Sequence, residues 1–171
     1  MWSYIYDKFS RSPSQLKIVK KMISTGIKVT KSFDNEPVLM CGDIEIRPNT
    51  LAKAAETDRR SVISVINRIA NDDKLYPFFS QLEPVANLWK ASVKMGLGVI
   101  EIIPESANKP GIIAGISSII AKHNISIRQV IVDDPEIVED PKAVVVTDQK
   151  VPAELIPELR SVDGVKGITI L

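Results

Sequence analysis

Cysteine and histidine are nearly absent from this chain, with one residue of each, Cys41 and His123, among 171. A single thiol excludes an internal disulfide and suits a reducing compartment. The sequence also lacks a glycine-rich nucleotide-binding fingerprint, a phosphate-binding loop and a nucleophile with a neighbouring base. Because these features carry most cofactor and catalytic chemistry, we expect neither a cofactor nor an enzymatic activity.

Long apolar runs are missing as well. No segment approaches the roughly 20 apolar residues that span a bilayer, and the N-terminal segment MWSYIYDKFSR has no basic region followed by an apolar one. We therefore expect a soluble, cytoplasmic protein with no membrane partner.

The net charge is only +1, but it is unevenly distributed. Residues 1–95 hold 15 Lys and Arg against 10 Asp and Glu, whereas residues 96–171 hold 7 against 11. The basic excess of the first half permits nucleic-acid binding without requiring it. With 44% hydrophobic residues, the chain can bury the core of one domain or of two small ones.

The clearest local pattern lies in residues 99–132. A short apolar run at 99–103 predicts a buried strand, and the loop SANKPG follows it. Isoleucines then recur at helical spacing from 112 to 120, and His123 with Asn124 is typical of a helix end. Alternating apolar residues at 125–131 predict the next strand, in which Arg128 is the expected partner of Glu101.

The remainder of the second half repeats this plan. An acidic loop, DDPEIVEDPK, precedes a strand at 143–147, a helix at 152–161 whose start Pro157 would delay or bend, and a strand from Val165 to the end. The order strand, helix, strand, strand, helix, strand is typical of a ferredoxin-like βαββαβ domain. The acidic loop favours a solvated hairpin tip over a cation site, since it lacks the fixed spacing of a calcium loop, and we expect no metal.

The first half is predicted to be mostly helical, so the chain as a whole is assigned to the α+β class. A helix begins after the cap Ser12 and ends at Gly26, and a small hairpin is predicted around Cys41, Gly42 and Asp43. We place this domain at 1–74, a helical linker at 75–95 and the βαββαβ domain at 96–171. The aromatic side chains of the linker are expected to pack at the joint between the domains or at a dimer seam.

Residues 50–69 resemble a helix-turn-helix, either in its simple form or in its winged form. A short helix at 50–56 is followed by a break at Thr57 and Asp58 and by a longer helix that Asp58 can cap. Polar side chains suited to phosphates and base edges occupy the open face of the second helix: Arg59, Arg60, Ser61, Ser64, Asn67 and Arg68. The alternative is a three-helix bundle with a solvated polar face.

The motif NKPG, the isoleucine helix after it and the segment NISIRQVIV resemble the ACT family of small regulatory domains over residues 97–171. The resemblance implies a ferredoxin-like domain that pairs with a second copy and binds a small effector, commonly an amino acid, at the pair's interface. By position, the implied contacts come from the loop before the helix and from a strand of the partner: Ala107, Asn108, Lys109, Pro110, Gly111, Ile112, Ile125, Ser126 and Ile127. The basic Lys109 departs from the acidic residue that many relatives carry in this loop.

The segments MCGDIEI, TDRRSV, GVIEIIPE and NKPGIIAG together resemble an archaeal-type family of regulators of amino-acid metabolism, with a helix-turn-helix region before one ACT domain. This resemblance implies a homodimeric or larger, amino-acid-responsive regulator of transcription that binds DNA. The alternative is a regulatory subunit that docks on a biosynthetic enzyme, with the helix-turn-helix region serving as a protein-binding bundle.

Overall fold

A computed structural model describes residues 1–171, which divide into two compact units, 1–85 and 86–171. Each unit has its own buried apolar cluster. No helix is long and apolar enough to cross a membrane.

The first unit contains five helices and three strands. In chain order these are α1 (Trp2–Phe9), α2 (Pro13–Thr25), β1 (Ile27–Lys31), β2 (Pro37–Cys41), β3 (Ile44–Ile46), α3 (Pro48–Ala54), α4 (Arg59–Ala70) and α5 (Leu75–Phe79). The strands form an antiparallel sheet in the order β1-β2-β3, so the predicted hairpin β2–β3 gains a third strand in β1.

Helix α4 lies at the centre of the first unit, in contact with most of its other elements. Its buried face, which includes Val62, Val65 and Ile69, joins a cluster that also contains Phe9 and Phe79. Helix α4 contacts α2, α3, α5, β1 and β2. The predicted amphipathic pattern of this helix therefore corresponds to its burial in the fold.

A four-residue turn at 55–58 joins α3 to α4. Asp58 is the N-cap of α4, and its carboxylate accepts hydrogen bonds from the Ser61 N–H at 2.9 Å and the Ser61 hydroxyl at 2.7 Å. These hydrogen bonds lower the pKa of the Asp58 carboxyl. The predicted cap is thus formed, and α3 begins at Pro48, two residues before the predicted start, because proline is well suited to the first helical position.

Asp72 anchors the chain after α4. Burial alone would raise the pKa of its carboxyl, but hydrogen bonds from Lys8, from the backbone N–H groups of Leu75 and Lys74, and from the Tyr4 hydroxyl hold that pKa well below its usual range. The Lys8 ammonium lies 3.0 Å from the carboxylate and the Tyr4 hydroxyl 2.9 Å. The network ties α1, which the sequence analysis did not predict, to the end of α4.

The second unit consists of α6 (Trp89–Lys94), β4 (Val99–Pro104), α7 (Ile112–Lys122), β5 (Ile127–Val132), β6 (Ala143–Thr147), α8 (Leu155–Arg160) and β7 (Val165–Ile170). From β4 onward the order is the predicted strand, helix, strand, strand, helix, strand. All neighbouring strands are antiparallel, in the order β5-β6-β4-β7.

One face of this sheet carries the core of the second unit. Ile100 and Ile102 of β4 pack with Ile116 and Ile120 of α7 and with Leu159 of α8. Helix α7 ends at Lys122, and Asn124 takes the left-handed conformation (φ 54°) expected of it. Helix α8 begins at Leu155, which puts Pro157 in its first turn, where the missing N–H costs no hydrogen bond.

Two predicted details differ from the structure. Glu101 pairs with Lys142, whose ammonium lies 3.2 Å from the Glu101 Oε1, and not with Arg128. Arg128 lies on β5, and β6 separates β5 from the β4 strand that carries Glu101. The segment 75–95, predicted as a linker, is divided: α5 is buried in the first unit, and α6 packs on β4 and β6 of the second.

Candidate functional site

The second unit contains a cavity of about 270 Å³ where β4 ends and α7 begins. The far wall of the cavity comes from the end of β5 and the start of β6. Most of the lining is apolar; the residues are Ile102, Pro104, Ala107, Lys109, Pro110, Gly111, Ile112, Ile113, Ala114, Val132, Asp133, Pro141, Lys142 and Ala143. The volume lies just below the range of about 300 to 1,000 Å³ that is usual for small-molecule pockets, so it suits a small ligand.

The mouth of the cavity is shaped by the loop before α7. Gly111 is the N-cap of this helix and has φ 94°, a left-handed conformation that L side chains rarely adopt. A Cβ atom at Gly111 would meet no atom within 4 Å, so the glycine is required by the backbone and not by crowding. The first N–H groups of α7 have no partner within the helix and therefore provide donors beside the cavity.

The turn at Asp163 and Gly164, just before β7, packs against the loop that precedes α7. A Cβ atom at Gly164, which has φ 87°, would lie 2.6 Å from the Cδ atom of Lys109. The Glu105 N–H donates to the Gly164 carbonyl at 2.8 Å. The loop is thus packed directly on the Asp163-Gly164 turn.

Both lysines of the cavity already have carboxylate partners. The Lys109 ammonium lies 2.5 Å from Asp163 Oδ1, and the hydrogen bond to Asp163 raises the pKa of Lys109. The Lys142 ammonium donates to Glu101 Oε1 at 3.2 Å. The basic Lys109 therefore does not leave an unpaired charge in the loop.

Asp133 stands at the junction of β5 and the acidic loop. Its backbone N–H donates to the Lys142 carbonyl at 2.9 Å, and its Oδ2 accepts from the Lys142 backbone N–H at 3.1 Å. Asp133 and Lys142 close the acidic hairpin at its base, and both line the cavity. The sequence analysis did not assign Asp133 or Lys142 to the site. The available signal was their position at the two ends of the acidic loop, next to the predicted strands.

The structure places five of the six predicted loop residues around the cavity: Ala107, Lys109, Pro110, Gly111 and Ile112. The sixth, Asn108, is exposed and outside the lining. The three predicted strand residues, which the resemblance assigned to a partner copy, do not line the cavity of their own chain. Ile125 is buried before β5, Ser126 exchanges hydrogen bonds with Asp148, and Ile127 packs against the core of the second unit.

A second candidate surface is the outer face of α4. Five of its six predicted residues are exposed: Arg59, Arg60, Ser64, Asn67 and Arg68. The sixth, Ser61, is half-buried by its hydrogen bonds to the Asp58 cap. Five of the six side chains are therefore accessible on one face of α4, whereas the Ser61 hydroxyl is engaged by the helix cap.

Two of the exposed residues also have partners within the first unit. The Gln15 side-chain amide donates to the Ser64 hydroxyl at 3.1 Å, and the Arg68 guanidinium lies 5.2 Å from the centre of the Phe9 ring. Arg59 and Asn67 line a groove of about 530 Å³ between α4 and the β1–β2 hairpin, which contributes Lys31. The side chains of Arg59, Arg60 and Asn67 are left to face solvent.

Comparison with known families matches residues 100–164 to the family described as ACT domain. An ACT domain is found at residues 100–164. The match includes the whole loop before α7 and the base of the acidic hairpin, so the cavity lies inside the ACT domain. An ACT domain indicates regulation through a small molecule, often an amino acid, and such domains often form oligomers.

The other comparisons add little to this assignment. The comparison with curated proteins found no match. Among solved structures, the crystal structure titled PH0061 aligns over 94% of this chain and 90% of its own, with 13% identity and a TM-score of 0.29. A TM-score this low does not establish a shared fold.

Proposed function

We propose that this protein is a cytoplasmic, amino-acid-responsive regulator of transcription. The observation that carries the proposal is the cavity of the ACT domain, which opens beside the glycine-capped start of α7. Free N–H groups at a helix start favour a carboxylate, and apolar walls favour a short carbon chain. The proposal involves no catalytic step.

The proposed DNA-contacting element is α4, as the second helix of a helix-turn-helix. Its support is the short turn after α3, the capped start of α4 and three side chains that face solvent: Arg59, Arg60 and Asn67. Arginine suits phosphates and guanine edges, and asparagine suits adenine edges. A two-fold dimer would place two such helices about 34 Å apart, one turn of duplex DNA.

Regulation would follow from linkage between the two binding events. An effector that binds one arrangement of an ACT-domain dimer more tightly shifts the population toward that arrangement. If DNA prefers the same arrangement, the effector tightens DNA binding, and DNA tightens effector binding by the same factor.

The test of DNA binding uses the double variant Arg59→Ala/Arg60→Ala and genomic fragments of the source organism. Each lost phosphate contact should lower the slope of log affinity against log salt by about 0.9 and weaken binding to all sequences. The control is Arg160→Ala, which removes an exposed arginine from the second unit. Unchanged affinity and an unchanged salt slope in the double variant would remove α4 from the proposal.

Affinity capture from native extract separates the proposal from its alternative. A regulator of transcription should recover DNA, and the recovery should respond to the effector. A biosynthetic enzyme recovered in equal amount without DNA would instead identify a regulatory subunit, for which the exposed face of α4 is the docking surface.

A further inference from the structure

Three charged residues line the cavity of the ACT domain, and only one of them lacks an oppositely charged partner. Lys109 pairs with Asp163, and Lys142 pairs with Glu101. Asp133 has no lysine, arginine or histidine within ion-pair distance. Asp133 therefore leaves one uncompensated negative charge beside the cavity.

The backbone fixes the orientation of the Asp133 carboxylate. The N–H and the Oδ2 atom of Asp133 both bind the backbone of Lys142, at 2.9 and 3.1 Å. These two bonds leave the Oδ1 atom without a hydrogen-bond donor. A half-buried carboxylate with one occupied and one open oxygen is a suitable acceptor for a ligand ammonium group, because a charge-assisted hydrogen bond is stronger than a neutral one.

The apolar walls of the cavity favour an apolar side chain on the ligand. Ile102, Ile113, Val132 and Ala143 present hydrocarbon from the sheet and from α7. A polar side chain placed against them would lose its hydrogen bonds to water without replacement. The volume of about 270 Å³ lies near the lower end of the range usual for small-molecule pockets, which suits a small amino acid.

We propose that the cavity binds an α-amino acid with a short aliphatic side chain, such as valine or leucine, and that Asp133 is the acceptor of its ammonium group. This inference rests on the proposed function, since it names the class of the effector and a residue that recognises it. The carboxylate of the amino acid lies at the first turn of α7, and its side chain lies against Ile113 and Val132.

The experiment is calorimetric titration of the full chain with L-valine, L-leucine, L-aspartate, L-lysine and 3-methylbutanoate, which has the aliphatic chain and the carboxylate but no ammonium group. We expect the aliphatic amino acids to bind most tightly. Asp133→Asn should weaken their binding about tenfold to a hundredfold, the range for loss of a hydrogen bond to a charged group. It should not weaken the binding of 3-methylbutanoate, which has no ammonium group to lose a partner and whose negative charge Asp133 can only repel.

The matched control is Glu139→Gln, which neutralises an exposed carboxylate of the same acidic loop that does not line the cavity. Glu139→Gln should bind every ligand as the unaltered chain does. The comparison of L-valine with 3-methylbutanoate needs no substitution, so it still tests the role of the ammonium group if Asp133→Asn unfolds. Ile113→Phe, which fills the cavity, should abolish binding.

The outcomes separate this inference from the function on which it rests. Equal binding of L-valine by Asp133→Asn and the unaltered chain would overturn the role of Asp133. Binding of L-aspartate or L-lysine in place of the aliphatic amino acids would overturn the proposed ligand class and leave the effector function intact. If none of these four amino acids binds, the other sixteen are titrated in the same way, and failure of all twenty to bind would remove the effector function itself.

Discussion

At the scale of the residue, Gly111 combines a left-handed backbone conformation with a place in the lining of the cavity. Its φ of 94° is unfavourable for any residue with a Cβ atom, although the space around it is open. Gly96 offers a matched comparison, because it has φ 75°, open space and a position in the same unit, but it does not line the cavity.

We expect Gly111→Ala and Gly96→Ala to destabilise the second unit by similar amounts, about 1 kcal/mol each, through backbone strain alone. Only Gly111→Ala should also weaken effector binding, because it shifts the first N–H groups of α7. Denaturant unfolding measures the stability, and calorimetry measures the affinity. Equal loss of affinity in both variants would show that the glycine acts through stability and not through the shape of the loop.

The ion-pair partner of a side chain was harder to predict from the sequence than the position of Gly111 at a helix start. The motif NKPG was sufficient to place Gly111 at a helix start, because positive φ and close approach are local properties. The partner of Glu101 depends on strand order: β6 lies next to β4, so Lys142 at its start reaches Glu101, and Arg128 on the outer strand does not. Strand order is not a local property.

At the scale of the element, α7 passes very close to the end of α8. A Cβ atom added at Gly115 would lie 2.6 Å from the Cγ1 atom of Val162. Alanine favours a helix interior over glycine by roughly 1 kcal/mol, whereas overpacking a core costs typically 1 to 3 kcal/mol. The crowding should therefore outweigh the gain in helix propensity.

We expect Gly115→Ala to destabilise the second unit by about 1 kcal/mol when Val162 is present. In a Val162→Ala background, the same substitution should become neutral or stabilising by up to about 1 kcal/mol, because the space it needs has been vacated. Denaturant unfolding of the four chains in this double-mutant cycle measures the difference. Additive effects would mean that the two helices do not crowd each other at this point.

Strong helical periodicity predicted α2, α4 and α7, since their buried residues recur every three or four positions. Helix α1 and strand β1 carry periodic patterns of their own, with Ile5 and Phe9 four positions apart and Ile27 and Val29 two apart, but over only eight and five residues. Helix α1 buries only Ile5 and Phe9, and β1 is stabilised by its pairing with β2, in which Val29 lies opposite Leu39. Patterns this short are weak evidence by themselves, so the two elements become clear only from their partners in the fold.

At the scale of the whole molecule, each unit contains a complete core. The boundary lies at residues 85 and 86, where Gln129 of β5 binds the Ala86 carbonyl and the Leu88 N–H at 2.7 and 2.9 Å. Leu75 and Phe79, assigned to a linker by the sequence analysis, are fully buried in the first unit. The connection between the units is thus shorter than predicted.

We expect the fragment 86–171 to fold cooperatively and to bind the effector within about twofold of the affinity of the full chain, since every residue that lines the cavity belongs to it. Effector at a hundred times its dissociation constant should stabilise the fragment by about 2.7 kcal/mol. Thermal unfolding with and without effector measures both properties. A fragment that folds but fails to bind would place part of the binding site outside the second unit.

The sequence by itself determined the α+β class, the βαββαβ order of the second unit, the capped start of α4 and the glycine loop before α7. These features depend on spacing and on local backbone preference, which act between residues a few positions apart. Only the tertiary structure decided the strand order β5-β6-β4-β7, the pairing of Glu101 with Lys142 and the presence of Asp133 in the cavity. Each of these brings together segments about 10 to 70 residues apart, and such contacts form only when the sheet closes around its core.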